Sequence, residues 1–146
     1  MASVFDVAKY ILQKMGRTTT MKLEKLCYYC QAWSLAWDEE PLFDEDFQAW
    51  ANGPVCPALF TFHRGLFSVD ASLFANRPDY PFLDREIETM DIVIRDYGDK
   101  EPHWLSELTH QETPWKLARY GVPIGEPCDN VITKESMLEY YGGLLR

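Results

Sequence analysis

Four cysteines and three histidines are the first residues of this 146-residue chain to weigh for chemistry. Cys27 and Cys30 stand in a C-x-x-C spacing, the pattern of dithiol redox sites and of half a zinc site. A redox pair of that kind sits where a strand opens into a helix. Here Cys27-Tyr28-Tyr29-Cys30 lies deep inside a helical pattern with no strand signal before it. A zinc site needs two more ligands, and Cys56 and His63 are the nearest candidates, but their spacing matches no common finger. Cys27 and Cys30 therefore read as small buried hydrophobes, and no metal or other cofactor is expected. A thiol nucleophile at Cys27 or Cys30 served by His110 would depend on a closeness that sequence does not disclose. No G-x-S-x-G, P-loop, H-E-x-x-H or dinucleotide fingerprint is present. The chain is not expected to be an enzyme. His63, His103 and His110 read as structural, with His110 bonding the backbone or pairing with Glu112.

The second chemical feature is charge. Asp38, Glu39, Glu40, Asp44, Glu45 and Asp46 crowd into nine residues, and no Lys or Arg occurs between Lys25 and Arg64. The same region is aromatic, with nine of the chain's 21 aromatic residues between Tyr28 and Phe62. This predicts an aromatic core carrying an acidic rim. Together with Phe43 and Phe47, expected at an exposed edge, the six carboxylates form the candidate partner-binding surface. A short edge strand there would also be open to a partner's strand. The net charge of −9 disfavours nucleic acid and suits a basic protein partner.

These groups must be positioned by helices. Val4, Val7, Ala8, Ile11, Leu12 and Met15 form one apolar stripe, capped by Ser3 with Asp6 and ended by Gly16. A second helix over Met21 to Trp37, capped by Thr20, is apolar nearly all round and should be central. Leu42 to Trp50 alternates in part, predicting a short strand or hairpin before the turn Ala51-Asn52-Gly53-Pro54. A short helix follows to Arg64, stopped by Gly65. Leu66 to Pro81 is irregular. Asp84 caps a helix to Tyr97, closed by Gly98. Another runs from Pro102 to Thr109, and Thr113 caps a short one with Pro114 at its first position. Gly121 to Asn130 is a loop, and Thr133 caps a last helix to Tyr141, ended by Gly142-Gly143. The expected fold is mainly α: a single domain over residues 1–146, of six or seven helices, with one small β element around residues 42–55.

Hydrophobic content of 47% is ordinary for a globular protein. No secretory leader pattern opens the chain, and no apolar run approaches the roughly 20 residues that span a bilayer. A cytoplasmic location and no membrane partner are expected. Leu144-Leu145, after the Gly-Gly break, leaves a homodimer open.

The blocks KLEKLCYYCQAWSLAW, PLFDEDFQAWANGPVCPAL, HRG and WLSELTHQETPWKLAR, in that order, resemble the conserved blocks of the Panacea domain family, over roughly Val4 to Tyr141. That family includes SocA-like antitoxins and phage-associated GepA-like proteins. The resemblance implies a helical fold, no catalytic residues, and an antitoxin that binds its toxin directly, blocking the toxin's active site or substrate access. The toxin would be encoded by a neighbouring gene; a host protease is a further partner the resemblance admits. The alternative is a protease adaptor, or a prophage-encoded inhibitor of a host protein. The motif residues carried over are Lys22, Leu23, Lys25, Leu26, Tyr28, Tyr29, Trp33, Trp37 and Trp50. Gly53, Pro54, His63, Arg64, Gly65, Thr109, His110, Glu112 and Trp115 complete them. All are expected to be structural; Trp33, Trp37 and Trp50 are expected in the core.

Overall fold

A computed structural model describes residues 1–144. The helices are α1 (Val4–Met15), α2 (Thr20–Asp38), α3 (Pro57–His63), α4 (Asp84–Tyr97), α5 (Pro102–Gln111), α6 (Thr113–Ala118) and α7 (Lys134–Gly143). The short strands are β1 (Thr18–Thr19), β2 (Phe47–Trp50), β3 (Gly53–Val55), β4 (Ser68–Val69) and β5 (Val131–Ile132). The chain is mainly α, as its periodicity predicts.

Helix α1 starts where local chemistry puts it. The Ser3 hydroxyl accepts from Asp6 N–H and the Asp6 carboxylate accepts from Ser3 N–H, a reciprocal cap. Arg77, from the irregular segment, donates to Asp6 at 2.7 Å and to the Ser3 hydroxyl at 2.8 Å. Lys9 pairs with Asp79 at 2.9 Å. The segment that looked structureless is thus clipped to α1, and it carries a 3-10 turn at Ala71–Phe74.

Helix α2 is the axis of the domain. It packs against α1, α4, α5 and α7, and Leu23, Leu26, Tyr28, Tyr29 and Cys30 are all buried. Its cap is Thr19 rather than Thr20: the Thr19 hydroxyl accepts from Lys22 N–H at 3.1 Å, while Thr20 N–H donates to Phe67 O next to the β1–β4 pairing. Small shifts of this kind occur elsewhere: Leu83, not Asp84, caps α4, and Glu112, not Thr113, caps α6. Helix α7 runs through Gly142 to Gly143 instead of stopping at Tyr141.

The β element is a three-stranded antiparallel sheet in the order β3-β2-β5, with Trp50 opposite Gly53 across a two-residue turn. Strand β2 is therefore central, and both its edges are occupied. The expectation that it offers a free edge to a partner is corrected by β5, two residues between the expected loop Gly121 to Asn130 and the cap Thr133.

Buried tyrosines tie α2 to the rest of the domain. Tyr29 donates to Glu112 at 2.6 Å, Tyr141 donates to the same carboxylate at 2.8 Å, and Tyr28 meets the Tyr141 hydroxyl at 3.1 Å. Tyr97 stacks on Tyr29 at 4.3 Å and accepts from Trp33 Nε1 at 3.0 Å. Of the three tryptophans expected in the core, Trp33 and Trp50 are half-buried, and Trp37 is 37% exposed at the end of α2, stacked on Trp33. Trp37 is the penultimate residue of α2.

Candidate partner-binding site

Two surfaces gather the residues that sequence singled out. The first is the acidic shoulder from Asp38 to Asp46. Its backbone is held against α2 by side chains of that helix: Gln31 donates to Phe43 O and accepts from Leu42 N–H, each at 2.7 Å, and Ser34 donates to Glu40 O at 2.6 Å. Glu39 closes α2 with a left-handed φ of 55°. Phe43 and Phe47 are 0% and 2% exposed, so they are core beneath the shoulder and not its exposed edge. Loop 39–46 is a strap whose Leu42 and Phe43 side chains are buried, and the period-two pattern that predicted a strand from Leu42 becomes a strand only at Phe47.

The carboxylates divide into two groups. Glu45 accepts from Val4 N–H at 3.0 Å, which ties the shoulder to the start of α1. Asp46 pairs with Lys134 at 2.8 Å, and that ammonium also donates to Asp44 O. Glu39, Glu40 and Asp44 are exposed and Asp38 half-exposed; none of the four makes a salt bridge among the described residues.

The second surface is an open cleft of about 860 Å³ between α2, the β2–β3 hairpin, α3 and the loop of residues 125–129. Its walls include Met21, Trp50, Val55 and Phe60, and its floor carries Glu24, Lys25 and His63. Lys22 to Leu26, Trp50 to Pro54 and His63 are separate blocks in sequence that converge here. Glu24, absent from the sequence-predicted set, is buried and fully used. One oxygen accepts from Cys56 N–H at 2.8 Å, at the start of α3, and the other meets His63 Nε2 at 2.7 Å. Two adjacent charges, Glu24 and Lys25, on a helix apolar all round were the signal for it. Lys25 is 2% exposed and donates to Pro54 O at 3.2 Å. Arg64 and Gly65 are exposed just beyond α3, and Gly65 has φ +85°.

The last motif block braces the cleft from behind. Trp115 donates to Trp50 O at 3.0 Å, and the buried Arg119 donates to Ala49 O, Pro123 O and Glu126 O, shaping the loop that forms the cleft's far rim. His110 does not pair with Glu112. It stacks on Trp115 at 4.0 Å with Nε2 buried and unpartnered, and burial holds its pKa below the usual value. Thr109 is buried beneath Gly53 and donates to Ser106 O.

Burial also sets the thiol chemistry. It pushes Cys27 and Cys30 well up and Cys56 to about 12, so all three are neutral thiols rather than nucleophiles at neutral pH. Among the described residues no group of three or more His, Cys, Asp and Glu side chains is placed to hold a metal ion.

A pH dependence follows. These thiols, and Tyr28, Tyr29 and Tyr141 with pKa values likewise raised by burial, stay protonated in the native state and ionise on unfolding. Their contribution is present below the unfolded values and lost as pH rises. Lys25 opposes them: burial lowers it to about 8, so it favours the native state increasingly between about 8 and 10.5. The urea midpoint should therefore fall above pH 9, and Lys25→Met should steepen that fall. A midpoint constant from pH 8 to 10.5 in both proteins would contradict the burial of these groups.

Fold and surfaces together define a mainly helical domain built round one buried helix, with a carboxylate-rich shoulder and a cleft lined by its sequence motifs. The family profile described as "Antitoxin SocA-like, Panacea domain" matches residues 23–116, and the chain belongs to that family. The match spans α2 to α6 and omits α1 and α7, which the resemblance over Val4 to Tyr141 had included. No curated protein and no solved structure matches the chain. Membership suggests an antitoxin with a toxin as partner and a non-enzymatic role. Among the described residues no helix is long and apolar enough to cross a membrane.

Proposed function

We propose that this protein is a cytoplasmic antitoxin that neutralises a cognate toxin, encoded by a neighbouring gene, by direct binding that blocks the toxin's active site or substrate access. The observation that carries this reading is membership of the SocA-like antitoxin family over residues 23–116. The charge of the chain supports it. A toxin that acts on RNA or nucleotides carries a basic substrate cleft, and carboxylates presented from a fixed strap fill such a cleft while excluding phosphates. Glu39, Glu40 and Asp44 are the residues for that task, because they are exposed and hold the strap through their backbone only, not through their carboxylates.

Co-expression with the neighbouring gene tests the reading. Growth should be restored, and failure to rescue a toxic neighbour would remove it. Recovery of a protease or another host protein in a lysate pull-down, in place of the toxin, would replace it with an adaptor or inhibitor role. The shoulder has its own test. The triple change Glu39→Gln, Glu40→Gln, Asp44→Asn should weaken toxin binding about tenfold, roughly 0.5 kcal/mol per charge, and reduce its salt dependence. Unchanged affinity and salt slope would exclude the shoulder from the interface. Leu144, exposed beyond α7, remains a surface for a second copy; Leu145 lies outside the described residues.

A further inference from the structure

We propose that the cleft beneath the β2–β3 turn is a ligand site for an apolar group that ends in a carboxylate. Its volume, about 860 Å³, lies within the range of cavities that enclose small ligands. The walls are apolar and partly aromatic, with Trp50 and Phe60 in edge-to-face contact at 5.0 Å and Val55 and Met21 beside them. Such walls take an aromatic or branched aliphatic group.

The floor selects the charge. Lys25 carries three donors, and only one bond is made among the described residues, to Pro54 O at the long distance of 3.2 Å. Glu24 is next to Lys25 in sequence but makes no hydrogen bond to it, since its two oxygens are committed to Cys56 N–H and His63. The Glu24–His63 couple thus leaves the ammonium as the group in the floor with donors to spare. Side chain and backbone hold it in place: a Cβ at Gly53 would lie 2.6 Å from Lys25 Cε. A carboxylate entering along the wall that Trp50 and Phe60 form would meet a preoriented, largely dehydrated ammonium, where a charge-assisted bond is strongest. Asn52 and Gln48 add neutral polar groups to the lining, and Asp129 on the opposite loop adds a carboxylate that the bound acid must keep away from.

Two sources share this chemistry, a free small acid and the C-terminal residue of a peptide. Isothermal titration and amide-shift NMR of the intact protein would use 3-phenylpropionate and N-acetyl-alanyl-phenylalanine as probes, each beside its carboxamide. The acid forms should bind at least tenfold more tightly than the amides, with shifts at Trp50, Phe60 and Lys25. That preference should vanish in Lys25→Met, which keeps the apolar stem. Tighter binding of the dipeptide than of phenylpropionate would identify a peptide terminus, and the reverse order a small acid. No binding by either acid at millimolar concentration, or equal binding of acid and amide, would overturn the proposal. If Lys25→Met does not fold, the acid–amide contrast on the unaltered protein decides. Toxin rescue is a separate readout and does not bear on this outcome.

Discussion

Replacing Gly53 with alanine is expected to destabilise the domain by about 3 kcal/mol, lowering the melting temperature by about 6 to 12 °C for a chain of this length. Two costs add. Gly53 has φ +119°, a conformation that residues with a Cβ rarely adopt. The new Cβ would also stand 2.6 Å from Lys25 Cε and 3.2 Å from Thr109 Oγ1. Lys25 cannot swing clear without giving up its bond to Pro54 O, and Thr109 is wholly buried. A double-mutant cycle separates the costs. In a Lys25→Ala background the steric part should shrink, leaving the backbone part of about 1 to 2 kcal/mol. A loss below about 1 kcal/mol in the parent protein would mean the turn does not sit over Lys25 as described.

Glu112→Ala should cost about 4 kcal/mol, the largest single effect expected of an α5–α6 residue. Its carboxylate accepts from both Tyr29 and Tyr141, and the Tyr28 hydroxyl is bound to Tyr141. Removal strands buried hydroxyls at the junction of α2, α6 and α7 and opens a cavity there. Glu112→Gln keeps an acceptor and should cost less than about 1 kcal/mol. The pair also has a pH signature. Burial raises the Glu112 pKa above its ordinary 4.5, against the lowering effect of the two tyrosine bonds. Its contribution is then fullest below pH 4.5 and is lost as pH rises through the raised value. Glu112→Gln should therefore gain on the parent as pH rises from 4.5 towards neutrality. Denaturant unfolding of both variants across that range checks the magnitude and the sign, and equal cost for Ala and Gln would dismiss the network.

These two positions also show how far the sequence could be read. Gly53 announces itself, since Asn-Gly-Pro after an alternating run can only be a turn. Glu112 does not. Nothing in Gln111-Glu112-Thr113 marks it as the acceptor for tyrosines 83 and 29 positions away. Phe43 and Phe47 went the same way: their neighbours are acidic, so the local pattern reads as surface, while Gln31 and Ser34 pull the strap down and turn both rings inward. The binding-site expectation changes accordingly. The shoulder keeps Asp38, Glu39, Glu40 and Asp44 as carboxylates without a salt bridge among the described residues, while Glu45 and Asp46 are spent on Val4 and Lys134.

By itself the sequence determined the helices, the hairpin turn, the thiol character of Cys27 and Cys30, and the family. Those rest on preferences acting over three or four residues, such as the Ser3–Asp6 cap, the apolar stripe of α1 and the positive φ at Gly53, or on motif blocks that occur in a fixed order along the chain. Only the tertiary structure decided the β1–β4 and β2–β5 pairings, the tyrosine–Glu112 junction and the cleft. Each joins segments far apart in the chain, as Thr18 to Val69 and Phe47 to Ile132. Such contacts form because burying the α2 surface brings the segments together, and the polar groups carried inside must then find partners wherever the packing places them.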